Sequence, residues 1–106
     1  MNIEKLSSQK IAASIHFVRG YKVMLDSDLA NLYGIETKYL KRQVNRNIER
    51  FPRDFMFLLS KKEVMGLRCQ IGTLEGLGRG RHSKYLPYAF TEHGILMLSS
   101  VLNSTR

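Results

Sequence analysis

The sequence predicts a single compact α+β domain built from short strands, hairpins and helices. Three times an apolar, strand-like run leads straight into a helix-capping residue: Leu25 into Asp26, Leu59 into Ser60, and Phe90 into Thr91. At 106 residues the chain is long enough for one modest hydrophobic core and too short for two. The chain shows no internal repeat and no low-complexity tract.

Residues 1–10 are polar and read as a flexible N-terminus, which leaves 11–106 as the domain. Ile15-His16-Phe17-Val18 and Tyr21-Lys22-Val23-Met24-Leu25 are apolar, partly β-branched runs. Arg19-Gly20 separates them and supplies a hairpin turn. Asp26 is a good N-cap for a first helix carrying Leu29, Ala30, Leu32 and Tyr33, and Gly34 supplies its stop. Thr37 caps a second helix with Leu40, Val44 and Ile48 as its apolar stripe, and Pro52 ends it by about Arg50.

Phe55 to Leu59 reads as a buried strand. Ser60-Lys61-Lys62-Glu63 matches the capping box S-x-x-E, opening a third helix with Val64, Leu67 and Ile71 inside. Gly72, Gly76, Gly78 and Gly80 punctuate a basic loop. Tyr85 to Phe90 resembles a strand that Pro87 assigns to an edge or a bulge. Thr91 caps the last helix, and Gly94 to Leu102 reads as its buried body. The sequence stops at Arg106 with no terminating Gly or Pro, which reads as the N-terminal domain of a longer protein.

Seventeen Lys and Arg against nine Asp and Glu give a net charge of +8, which favours a polyanionic partner such as nucleic acid or an anionic surface. The one cysteine, Cys69, cannot form an internal disulfide. The N-terminus lacks the apolar stretch of a signal peptide, and no apolar run approaches the roughly 20 residues that span a bilayer. A cytoplasmic location is therefore the expectation, nucleoid-associated when DNA is bound, and a membrane partner is not expected.

The stretch from about Asp26 to Asn47 has the parts of a helix-turn-helix. Ala30 is small where two helices must cross, Gly34 can take the positive φ of a tight turn, and about three residues separate the helices. At about 100° per residue, with Leu40, Val44 and Ile48 inside, Lys38, Arg42, Asn45 and Arg46 fall on the outer face. Tyr39 and Lys41 flank them, and Thr37 and Lys38 stand at the end that recognition helices usually present. Arg and Lys donate to guanine and Asn pairs with adenine, so these residue types suit double-stranded DNA. Glu49 also faces outward, and its charge predicts that the helix has left the DNA by that point.

Together with the strands and helices on its C-terminal side, this motif resembles the ORF6N domain, a relative of the KilA-N and BRO-N DNA-binding domains of phages and large DNA viruses. The resemblance is carried by RGYKVMLDSDLANLYGIETKYLKRQVNRNIERFPRDFMFLLSKKE and, after the loop, by GRGRHSKYLPYAFTEHGILMLSSVL. It covers nearly all of the chain from Ile15 onward and departs at Gly72 to Gly78, where little aligns. It implies a DNA-binding module of phage antirepressor-like or transcription-regulating proteins, often with a separate C-terminal region. It supplies no map of DNA contacts, so the contact residues rest on the helical wheel.

Other chemistry finds less support. Gly76-Leu77-Gly78-Arg79-Gly80 lacks the G-K-[ST] ending of a P-loop, although Arg79, Arg81 and Lys84 are candidates for a wing on the phosphate backbone. His16, His82, His93 and Cys69 have no metal-ligand spacing, and Asp26 and Asp28 read as capping and helix-dipole residues. Phe55, Phe57, Tyr85 and Tyr88 have the chemistry to stack on bases, but adjacent Leu and Met favour core strands. No catalytic residue, cofactor, metal or small-molecule substrate is expected. A homodimer reading two half-sites fits the motif, although the sequence shows no heptad seam. The alternative is a protein-interaction module with only nonspecific affinity for nucleic acid.

Overall fold

The computed structural model describes residues 14–71 and 86–104, with the side chains of 14–67 and 86–103. The N-terminal segment, the Gly-rich loop and the side chain of Cys69 lie outside the described residues. The hairpin forms as expected. Strands β1 (His16–Val18) and β2 (Tyr21–Leu25) pair antiparallel, with Val18 opposite Tyr21. Arg19 and Gly20 both take positive φ, 54° and 84°, the two-residue geometry whose twist matches that of paired strands.

Positive φ is unfavourable for a side chain such as arginine, and Arg19 is held there by several contacts. Its Nε and Nη2 donate to Glu63 Oε2 at 2.8 Å and Oε1 at 3.0 Å. The guanidinium also sits 4.3 Å above the Phe57 ring centroid and donates to the Leu58 carbonyl. Glu63 in turn accepts from the Ser60 amide at 2.8 Å, while the Glu63 amide donates to Ser60 Oγ at 3.1 Å. The capping box read from the sequence is therefore real and opens α3 (Lys61–Ile71). One carboxylate serves both the helix cap and the hairpin turn.

β2 passes without a linker into α1 (Asp26–Tyr33), which a three-residue turn joins to α2 (Thr37–Arg46). A 3-10 turn (Ile48–Arg50), strand β3 (Met56–Leu58) and α3 come next in the chain, and β4 (Tyr88–Phe90) leads into α4 (Glu92–Ser104). The sheet order is β1-β2-β4-β3, with every neighbour antiparallel. β4 is thus interior, which corrects the expectation of an edge strand or bulge. Pro87 precedes the first paired residue, so its missing N–H costs no ladder bond, and its carbonyl accepts from the Leu59 amide at 3.0 Å.

Alternation along the inner strands fills both faces of the sheet. Met24, Met56 and Phe90 point into a larger core with Leu29 and Ala30 of α1, Leu40 and Val44 of α2, Phe51, and Leu98 and Val101 of α4. Val23, Phe57 and Ala89 point the other way and join Val18, Leu59 and Leu67 of α3. Some expected core residues are not there. Leu32, Tyr33 and Ile48 are exposed, and so is Leu96 on the last helix. Helix α2 ends at Arg46, so the 3-10 turn rotates Ile48 off the stripe and buries Phe51 instead.

Thr91 fixes the start of α4, as its capping role requires. Its hydroxyl accepts from the Gly94 amide at 3.3 Å and donates to the Asp54 carbonyl at 2.8 Å. Gly94 packs so tightly there that a Cβ would collide with the backbone carbonyl of Phe55. Backbone cannot yield as a flexible side chain can. Gly94→Ala is expected to destabilise the domain by about 1–3 kcal/mol or more, read as a lowered denaturation midpoint in urea.

The Arg19 guanidinium and the Ser60 amide together hold the Glu63 carboxyl down from 4.5 to about 2. Because the folded value lies below the unfolded one, this contribution is complete above about pH 4.5 and is lost as pH falls towards 2. Glu63→Gln is expected to flatten the stability-pH curve across that interval, as measured by thermal denaturation at stepped pH. A curve identical to the parent's would refute the clamp.

Candidate nucleic-acid interface

The turn between α1 and α2 is built by backbone hydrogen bonds. Gly34 takes φ 71° and ψ 32°, the left-handed conformation that glycine adopts without cost. Its amide donates to the Asn31 carbonyl at 3.2 Å, and the Ile35 amide donates to the Ala30 carbonyl at 2.9 Å. This pair of bonds is a Schellman closure, and Ile35 packs onto the main core beside it. Ala30 is buried, as a close crossing of the two helices requires. The expected helix-turn-helix is therefore present, with Gly34, Ile35 and Glu36 as its turn.

The two helix starts differ from the sequence reading. Thr37 is already helical, and extended Glu36 takes the N-cap position with no side-chain cap bond. The Glu36 carbonyl accepts from the Tyr39 and Leu40 amides at 3.0 and 3.1 Å, so the helix begins one residue early. Asp26 is likewise the first helical residue, and Leu25 holds the cap position. The strand runs to Leu25, which displaces the cap and turns the Asp26 carboxylate inward.

Asp26 is only 3% exposed and joins three elements. Its Oδ1 accepts from the Ser27 amide at 2.7 Å, and its Oδ2 accepts from the Tyr88 amide at 3.1 Å. Lys41 Nζ lies 3.5 Å from the same Oδ2 and 5.6 Å from the Tyr88 ring centroid. Lys41 is thus drawn back toward the sheet rather than simply flanking the outer face. Capping and helix-dipole complementarity were the roles the sequence assigned to Asp26. The Lys41 pairing 15 positions away has no local signal in the sequence.

On α2 the buried residues are Leu40, Val44 and Gln43. The sequence missed Gln43, but the wheel places it beside Leu40, and its carbonyl accepts from Asn47 Nδ2 at 2.8 Å. Lys38, Arg42, Asn45 and Arg46 are all exposed, and Thr37, Tyr39 and Lys41 are partly buried at the margins. Among the described residues the ion pairs are Arg19–Glu63 and Lys41–Asp26, so Lys38, Arg42 and Arg46 have no carboxylate partner there. The wheel and the structure agree on one polar face. Arg79, Arg81 and Lys84, the candidate wing, lie outside the described residues.

The remaining candidates take structural positions. His93 stacks on Phe55 with ring centroids 5.5 Å apart. Phe57 is buried beneath Arg19, and Tyr88 meets Phe90 edge-on. Burial pushes the Asp28 carboxyl up, with the charge of His16 partly offsetting the effect. Among the described residues no group of three or more His, Cys, Asp or Glu could hold a metal ion. No helix among them is long and apolar enough to cross a membrane.

Removing Asp26 leaves the part-buried Tyr88 amide without its acceptor and ends the ion pair with Lys41. Asp26→Ala is expected to cost about 1–3 kcal/mol, with Asp26→Asn costing less because one oxygen acceptor is kept. Urea denaturation of both variants checks the order, and equal losses would contradict the assigned hydrogen bond to Tyr88.

The family model for the ORF6N domain matches residues 13–101, most of the chain. No curated protein and no solved structure gives a significant match.

Proposed function

The chain belongs to the ORF6N domain family, and from that premise we propose that it binds double-stranded DNA sequence-specifically, as a phage- or prophage-type antirepressor or transcriptional regulator. The observation that carries this reading is the outer face of α2. Lys38, Arg42, Asn45 and Arg46 stand exposed on a helix whose opposite face is locked into the core. Lys38 to Arg42 and Arg42 to Arg46 are like-charge pairs at i,i+4, a spacing that costs a few tenths of a kcal/mol each in an isolated helix. A polyanion in contact with this face relieves that repulsion.

In the proposed complex α2 lies in the major groove, with Thr37 and Lys38 leading. Arg42 and Arg46 donate to guanine edges or phosphates, and Asn45 has the donor and acceptor that adenine recognition uses. Tyr39 and Lys41 border the contact, with Lys41 also holding the helix against Asp26. The reading assigns no catalytic step, cofactor or small-molecule substrate. Two copies on half-sites a helical turn apart are compatible with the motif.

Arg42→Ala combined with Arg46→Ala is expected to weaken binding to a selected duplex at least tenfold, since one good base contact is worth about 1–3 kcal/mol. Gel-shift titration at fixed salt measures it, alongside a denaturation curve expected to match the parent. Unchanged affinity would sink the reading. Equal, salt-labile binding to every duplex would favour an interaction module with a merely solvated basic face.

A further inference from the structure

We propose that Arg50 and Arg53, beyond the end of α2, form a second sub-site that holds the DNA phosphate backbone and carries no base preference. The proposal rests on the DNA-binding reading above. Between residues 38 and 54 the chain has six cations, Lys38, Lys41, Arg42, Arg46, Arg50 and Arg53, against two carboxylates, Glu49 and Asp54. Among the described residues the cations with a carboxylate partner are Arg19, paired with Glu63, and Lys41, paired with Asp26. Arg50 and Arg53 are exposed and form no ion pair among the described residues, even with Glu49 or Asp54 beside them in sequence.

Their backbone is nonetheless tightly fixed. Asn47 closes α2 with its amide and its side chain on the Gln43 carbonyl, and its own carbonyl then accepts from the Arg50 amide at 2.8 Å. The Phe51 amide donates to the Ile48 carbonyl at 2.9 Å, and the Phe51 ring is buried edge-on against Phe90 at 6.1 Å. The Pro52 carbonyl accepts from the Phe55 and Met56 amides at 2.8 and 3.1 Å, closing the turn that carries Arg53. Phe51 is thus an anchor driven into the core between two outward arginines. Two exposed arginines without an ion pair among the described residues, on a hydrogen-bonded ledge past the end of α2, suit a fixed run of phosphates. Because α2 ends at Arg46 and the outward carboxylate of Glu49 follows, the residues beyond it are assigned to the backbone rather than to base edges.

The test uses the full chain and two duplexes of equal length, one recovered by selection from a random pool and one with scrambled sequence. Each is titrated from 50 to 200 mM salt, the range over which phosphate contacts dominate the change in affinity. Each phosphate contact contributes about 0.9 to the slope of log affinity against log salt, so Arg50→Gln with Arg53→Gln is expected to lower it by roughly 1.8. Both duplexes weaken by the same factor, so their affinity ratio stays at the parent's value. The Arg50→Lys, Arg53→Lys variant keeps the charge and is expected to retain most of the slope.

An unchanged slope in the glutamine variant, with the parent binding normally, overturns the sub-site and leaves the α2 reading intact. A changed ratio between duplexes overturns the phosphate assignment in favour of base contact. Loss of slope in the lysine variant as great as in the glutamine variant points to a structural role and also overturns it. Failure of the parent to bind either duplex at 50 mM salt removes the DNA-binding reading itself.

Discussion

The fold depends on the three residues of the last strand in the chain. β4 lies between β2 and β3, and the strands on either side of it do not pair with each other. Without Tyr88–Phe90 the hairpin and β3 would share no strand pairing, and Met24 and Met56 would lack the Phe90 position they both face. The Asp26 carboxylate extends this dependence to the helix-turn-helix, because it receives the Tyr88 amide while holding Lys41. The pose of α2 is therefore tied to a strand more than forty residues downstream. This is a non-local closure of the kind that slows folding relative to helical bundles.

Around that strand the described cations fall into paired and unpaired groups. Arg19 and Lys41 are matched to carboxylates and contribute to packing. The exposed cations of α2 and the turn after it have no such match among the described residues. Exposed ion pairs are worth little in water, so leaving these groups unpaired costs the fold little stability. It leaves them available to an anionic surface, whose condensed counterions would be released on contact.

Much of this was legible in the sequence, because several of its signals are local. The Arg19-Gly20 turn, the Ser60–Glu63 box, the Thr91 cap and the Gly34 stop each act within four residues, and each appears as read. What the sequence hid are relations between distant segments. Nothing near Pro87 announces that its strand is central, and nothing near Gly94 announces the Phe55 carbonyl against it. Asp26 and Thr37 looked like caps because their residue types favour that role, yet the preceding residue took it in both cases. On the candidate site, the wheel identified the outer face of α2 because burial of Leu40 and Val44 fixes its rotation. It could not foresee that Lys41 would turn toward a buried carboxylate.

The absence of any linker between β2 and α1 has a mechanical consequence. A strand that becomes a helix within one peptide bond transmits its direction, and the Schellman turn passes that direction on to α2 across three residues. The sheet and the outer helix are thereby joined through continuous secondary structure and one hydrogen-bonded three-residue turn. Exchanging the exposed side chains of Lys38, Arg42, Asn45 and Arg46 would therefore remake the outer face of α2 while the turn that sets its direction stays as it is.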